Sequence, residues 1–214
     1  MRYVIPFALA AGFVAAATPA MAQDGPAPDQ APFTGPRVEV VGGWDRLSNQ
    51  NSAARTNTNG FTYGLGAGYD VQFGGAIIGV EGEATLSTSK LNRNNVLVAG
   101  DNNQLRADRD LYAGVRAGFA VTPTTLLYVK GGYTNARMTA RYSAPDGTFA
   151  RNSGTMDGWR AGAGIEHKLA MFGPGGYVKA EYRYSNYSNL NVGSFNTGVD
   201  VDRHQVVAGV GVRF

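Results

Sequence analysis

The stretch Phe61-Thr62-Tyr63-Gly64-Leu65-Gly66-Ala67-Gly68-Tyr69-Asp70-Val71-Gln72-Phe73 alternates without a break. Every odd position is apolar or aromatic, and every even position is polar or glycine. Successive side chains of a β-strand point to opposite faces, so this segment has one greasy face and one small or polar face. The same period of two recurs over approximately 37–47, 76–89, 105–121, 126–138, 155–169, 177–186 and 199–214. No run shows the three- and four-residue spacing of an amphipathic helix. Connections 74–75, 122–125 and 170–176 are short, whereas 48–59, 88–104, 139–154 and 187–198 are long and rich in Asn. Eight alternating strands, with short turns on one side and long loops on the other, make the pattern of an outer-membrane barrel.

A water-soluble barrel would alternate too, so the decision rests on which face is apolar. Here the charges share a face with the glycines, and the opposite face carries aromatic residues at its ends. Trp44, Phe61, Tyr63, Tyr133, Trp159, Tyr182 and Tyr184 lie toward the long-loop ends of the strands, and Tyr69, Phe73, Phe119 and Phe214 toward the turns. Two aromatic belts flanking an aliphatic band are what the two membrane–water interfaces select. The expected fold over 37–214 is therefore all-β, an eight-stranded antiparallel up-and-down transmembrane β-barrel.

Composition narrows the function. The chain has 214 residues, 30 of them Gly, no Cys, and only 16% charged residues, against roughly 25% charge and about 7% Gly in ordinary domains. Without Cys there is no disulfide, no thiolate metal ligand and no cysteine nucleophile. The 19 basic and 16 acidic residues are interspersed with no basic run, which argues against nucleic acid as a partner. At the start, Arg2 precedes an apolar stretch over 4–17, and Ala20-Met21-Ala22 offers a small-x-small cleavage site. Residues 1–22 are read as a signal peptide cut between Ala22 and Gln23, since the apolar stretch is shorter than the ~20 residues of a membrane-spanning helix. Segment 23–36, with Pro26, Pro28, Pro32 and Pro36, is read as a periplasmic tether.

At this point Tyr128-Val-Lys-Gly-Gly-Tyr133, Gly158-Trp-Arg-Ala-Gly-Ala-Gly-Ile-Glu166, Lys179-Ala-Glu-Tyr-Arg-Tyr184, His204-Gln205-Val206 and the closing Val212-Arg213-Phe214 resemble the opacity-type, porin-like small outer-membrane proteins, including surface antigens of alphaproteobacteria. The resemblance covers most of the chain after the signal peptide and is weakest in the long loops. It implies an eight-stranded barrel of the Gram-negative outer membrane with a periplasmic N-terminus. It also implies envelope-structural and surface roles, and at most a narrow pore. No catalytic residue carries over. His167 departs from the aromatic residue expected after Glu166. The terminal Phe214 resembles the signal read by the outer-membrane assembly machinery. Outer-membrane lipid and lipopolysaccharide are the expected surroundings.

Chemistry is sparse. Glu81 and Glu83 share the inward face of one strand, and paired carboxylates serve glycoside hydrolysis; an eight-stranded barrel holds side chains but not a sugar. The inward charges Glu39, Glu81, Glu83, Arg116, Lys130, Arg160, Glu166, Lys179, Glu181, Arg183, Arg203 and Arg213 are expected to pair across neighbouring strands, Glu81 with Arg116 and Glu39 with Arg213, because an unpaired buried charge is costly. Lys168 has the same parity. The two histidines fall on the outward face, and neither begins the His-x-Ser pair of lipid A deacylases, which counts against an enzyme. The glycine runs 64–68, 162–164 and 209–211 sit inside strands with no helix following, so they are not phosphate loops. They instead leave room for long inward side chains. No catalytic, cofactor or metal site is expected. The functional expectation is an envelope-structural, surface-exposed barrel with a charge-plugged lumen; a narrow channel and a loop-mediated adhesin are the alternatives.

Protein isolated from outer membranes should have the intact mass of a chain starting at Gln23; a mass that retains residues 1–22 refutes the cleavage site.

Overall fold

The structure, a computed structural model, describes residues 32–49, 57–94, 102–143, 145–146, 149–192, 195–196 and 201–214. Among these residues ten strands form in chain order: β1 (Gly35–Asn49), β2 (Asn57–Phe73), β3 (Ala76–Ser87), β4 (Lys90–Asn94), β5 (Asn102–Thr122), β6 (Thr125–Ser143), β7 (Phe149–Lys168), β8 (Gly176–Val192), β9 (Phe195–Asn196) and β10 (Val201–Arg213). Eight of them make the wall, in the order β1-β2-β3-β5-β6-β7-β8-β10. The ladder closes where β1 meets β10, with Glu39 opposite Gly211 and Trp44 opposite Val206. Every pairing is antiparallel. Closure is what lipid demands, because hydrocarbon offers no partner to the N–H and C=O groups of a free edge.

The core is inverted relative to a water-soluble protein. Leu65 on β2 is 63% exposed, while Arg183 on β8 is 0% exposed. All along the wall, aliphatic residues such as Val40, Val80, Val115 and Val129 stand outside, and arginines, lysines and carboxylates lie within. The aromatic residues follow the expected parity. Trp44, Phe61, Tyr63, Tyr69, Phe73, Phe119, Tyr133, Trp159, Tyr182 and Phe214 are exposed on the outer surface, and Tyr184 is half-buried beside Trp159, ring centroids 5.3 Å apart. Among the described residues no helix is long and apolar enough to cross a membrane.

The ends of the strands differ from the sequence expectation. β2 begins at Asn57, β5 and β6 pair as far as Asn102 opposite Ser143, β6 and β7 as far as Ser143 opposite Phe149, and β4 and β9 add short ladders. Much of the connections expected over 88–104, 139–154 and 187–198 is therefore hairpin. Above the membrane both faces of a strand meet water, so the hydrogen-bonded ladder continues while the apolar alternation that marks it in the sequence stops. The short turn after β2 is as expected, with Gly74 at φ 61°, a left-handed conformation that favours glycine.

The tether expected over 23–36 also ends early. β1 starts at Gly35, and Phe33 is fully buried against Ile77, Leu126 and Tyr128 at the turn-side end of the barrel. Its N–H donates to Gln72 Oε1 at 3.0 Å, and its carbonyl accepts from Arg213 Nη1 at 2.5 Å. An apolar ring, rather than a polar linker, thus fills this end of the lumen. The expected signal peptide, with its Ala22–Gln23 junction, and residues 23–31 lie outside the described residues.

A closed ladder leaves no edge from which to unravel. The folded protein should therefore migrate differently on SDS electrophoresis before and after boiling. Identical migration, with a helical circular dichroism spectrum, would refute the barrel.

Candidate functional site

The inward face carries eight acidic residues (Glu39, Asp45, Asp70, Glu81, Glu83, Asp110, Glu166 and Glu181) and eight basic ones (Arg37, Arg116, Lys130, Arg160, Lys179, Arg183, Arg203 and Arg213), all buried. The formal charge of these sixteen buried residues is thus 8 − 8 = 0; Lys168, of the same parity, is half-buried with its Nζ 5.6 Å from the centroid of the Phe33 ring. Each of the sixteen has an opposite charge within 4.0 Å. Moving a charge from water into a low dielectric costs several kcal/mol per ion, and only good geometry with satisfied hydrogen bonds offsets it.

Three tiers can be followed along the axis. At the turn side Asp70 binds Arg37 Nε at 3.1 Å, Arg213 Nη1 at 2.6 Å and Arg116 Nε at 2.8 Å. Glu166 joins the same arginines, at 2.7 Å from Arg213 Nη2 and 3.1 Å from Arg116 Nη1. In the middle, Lys130 Nζ sits 2.7 Å from Glu81, 2.7 Å from Glu83 and 3.0 Å from Glu181. Lys179 donates to Glu39 at 2.5 Å, and Arg183 spans Glu83, at 2.8 Å, and Glu181. Toward the loops, Asp110 accepts from Arg160 and Arg203, both at 2.5 Å, and from Tyr187 Oη at 2.7 Å. Asp45 accepts from Arg203 at 2.7 and 2.8 Å and from Ser87 Oγ at 2.7 Å.

Several of the contacts between side chains two strands apart are built over a glycine that stands between the partners. Arg37 on β1 stands opposite Gly68 on β2, which stands opposite Glu81 on β3, and Arg37 bonds Glu81 over the glycine. Asp70, Gly79 and Arg116 repeat the row on β2, β3 and β5. Tyr128 reaches Glu181 over Gly164 at 2.6 Å, and Tyr177 reaches Glu39 over Gly211 at 2.8 Å. A Cβ on Gly79 would lie 1.9 Å from Asp70 Oδ1, and one on Gly164 2.7 Å from the Tyr128 ring. The partners sit two strands apart, and this corrects the expected neighbour pairs. Arg116 binds Asp70 and Glu166 rather than Glu81, and Arg213 binds the same two acids rather than Glu39. A glycine row opens a path for head groups two strands apart to meet, beside the pairs that join adjacent strands, such as Arg203 with Asp45 and Arg37 with Asp70.

The twelve charges singled out from the sequence all lie in this network. Arg37, Asp45, Asp70 and Asp110 belong to it as well and were missed, although Arg37 shares the parity of Glu39, and Asp70 that of Gly64 to Gly68. The inward tyrosines 112, 128, 177 and 187 were also missed because aromatic residues were assigned to the membrane face. Lys130 Nζ lies 4.7 Å from the centroid of the Tyr112 ring, and the Arg116 guanidinium 5.0 Å from that of Tyr128, distances at which a cation is attracted to the ring face. The histidines serve the outer surface. His204 Nδ1 is 2.7 Å from Tyr182 Oη, and His167 Nδ1 is 2.9 Å from Thr125 Oγ1. Among the described residues no three His, Cys, Asp or Glu side chains form a set able to hold a metal ion.

A family model described as an outer membrane protein beta-barrel domain matches residues 7–214. The 25 kDa outer-membrane immunogenic protein of Brucella canis is 30% identical over 175 residues, covering 80% of this chain and 74% of the relative. Its counterpart from Brucella abortus is 29% identical over the same shares. Among solved structures, Neisserial surface protein A aligns with a TM-score of 0.55 at 18% identity, covering 85% of this chain and 98% of that one. At that identity the likeness concerns the fold alone.

The glycine rows predict a contrast between two alanine substitutions on β3. Gly79→Ala should lower stability by about 1–3 kcal/mol through overpacking against Asp70. Gly82→Ala, whose new methyl meets nothing closer than 3.7 Å, should stay within about 0.5 kcal/mol. Urea unfolding midpoints in lipid vesicles measure both, and equal midpoints would refute the spacer role.

Proposed function

This chain belongs to the outer-membrane protein β-barrel family, and from that premise we propose that it is a non-enzymatic wall and surface protein whose lumen is closed by its own neutral charge network. The observation that carries the proposal is the compensation of eight buried inward acids by eight buried inward bases, with Arg160, Arg183 and Glu166 at most 1% exposed. A conducting pore needs charged side chains that face water; these face one another. Phe33 and its apolar neighbours add a second closure at the turn side.

In this proposal the barrel is surrounded by outer-membrane lipid and lipopolysaccharide, with the long-loop hairpins outside the cell and the N-terminus in the periplasm. Phe214, 76% exposed beyond the end of β10, is the handle for the assembly machinery. The name of the Brucella relatives, which calls them immunogenic, supports surface exposure here. The outward histidines, held by Tyr182 and Thr125, support a non-enzymatic reading.

Purified protein in a planar bilayer should show no steady ion conductance in moderate salt. Stable single-channel openings would refute the closed lumen and favour the narrow channel.

A further inference from the structure

Inside the barrel each of the buried arginines has a carboxylate partner; on the outer wall above the loop-side belt two described arginines, Arg109 and Arg137, do not. The outward face of β5 runs Val115, Ala113, Leu111 and then Arg109, and that of β6 runs Val129, Gly131, Tyr133, Asn135 and then Arg137. Between the pairs Ala107–Met138 and Asp110–Ala136 the ladder shifts register, so Asp108 and Arg109 together face Arg137 alone. This β-bulge places two exposed arginines, Arg109 and Arg137, opposite each other across the ladder, with exposed Arg106 further along β5.

The carboxylates at this height are otherwise engaged. Asp108 accepts from Thr139 Oγ1 at 2.5 Å and lies 3.6 Å from Arg106 Nε. Asp157 accepts from Asn135 Nδ2 at 2.6 Å and from Tyr133 Oη. Arg137 donates to Ser153 Oγ at 3.1 Å. Among the described residues neither Arg109 nor Arg137 has a carboxylate within ion-pair distance. Like charges facing each other across a ladder are destabilising, so the pair has a standing demand for an anion. Arg137 lies four residues beyond Tyr133 of the aromatic belt. At roughly 3.3 Å per residue and a tilt of about 40° that is on the order of 10 Å above it, in the headgroup layer.

We propose that Arg109 and Arg137, assisted by Arg106, form a binding site for the phosphate of an anionic glycolipid in the outer leaflet, the lipid A moiety of lipopolysaccharide. Planar guanidinium groups bind phosphate oxygens with two parallel hydrogen bonds. The height above the apolar band selects a lipid over a soluble polyanion, because the acyl chains carried by the sugar that bears that phosphate lie against exposed Leu111, Val115 and Val129 below. The site rests on the reading of the chain as an outer-membrane barrel with its long hairpins outside.

The test uses the full mature chain folded in detergent micelles, with bisphosphorylated lipid A and its dephosphorylated form as probes. The wild type should bind the bisphosphorylated form at least tenfold more tightly. R109Q/R137Q should lose that difference, R109K/R137K should keep most of it, and R46Q, the same change on the opposite wall, should leave it intact. R137Q alone, at an exposed side chain, gives a second reading should the double variant not fold. Unchanged binding by R109Q/R137Q, equal binding of both lipid A forms, an equal loss in R46Q, full displacement by millimolar inorganic phosphate, or tighter binding of heparin would each overturn the site. The heat-dependent shift in electrophoretic mobility of the wild type is read alongside. Its absence refutes the barrel itself, whereas its presence with unselective binding refutes only the site.

Discussion

The structure depends on one electrostatic constraint: charges held in a lumen walled by lipid must be compensated within side-chain reach. Water would screen sixteen charges at little cost, but side chains at or near zero exposure have no such screening, and an unpaired one is worth several kcal/mol. The chain meets this with equal numbers of each sign and with several partners per group. Asp70, for instance, is shared among Arg37, Arg116 and Arg213. Multiple partners matter because a carboxylate has about four lone-pair sites and a guanidinium five donors, and each left over in a dry space adds to the desolvation cost.

Glycine is the geometric counterpart of that constraint. Long side chains from both walls must cross a narrow barrel, and every Cβ removed from the inward face is space for a head group. In the rows Arg37–Gly68–Glu81 and Asp70–Gly79–Arg116 the glycine lies under the bond itself. The high glycine content and the low charged fraction thus have one origin. Charges are confined to one face of the strands and diluted there by the spacers that let them meet.

The fold was legible in the sequence because one face of each wall strand contacts lipid and the other the lumen, which writes a period of two into 61–73 and its counterparts. The same physics limits what could be read. Where the hairpins leave the membrane, as at Asn102 opposite Ser143, both faces are wet and the alternation vanishes although the pairing continues. Parity placed Glu39, Glu83 and Lys130 inside, but assigning aromatic residues to the membrane hid Tyr112, Tyr128, Tyr177 and Tyr187. The specific partners were not legible. Arg116 and Glu81 lie on neighbouring strands, yet which head groups meet depends on the glycine rows, and those appear only once the register of three strands is known. Phe33 was hidden for another reason, since a single aromatic residue among prolines carries no periodicity at all.

The charge network also fixes the register in which the barrel closes. A slip of one residue between two strands moves every side chain of one strand to the other face. On β8 that would carry Lys179, Glu181 and Arg183 into lipid, where a basic residue near the midplane costs about 2–4 kcal/mol, and would take from Glu39 and Glu83 inside the partners that β8 supplies. A slip of two residues restores the faces but breaks the rows: Tyr177 would stand opposite Gly209, beyond which lies Val41 rather than Glu39, the acceptor of its hydroxyl. Buried ion pairs add little net stability compared with a well-packed apolar filling. Their consequence here is selectivity: the observed register gives each of the eight inward acids a basic partner, and a slip of β8 separates Lys179 from Glu39 and Arg183 from Glu83.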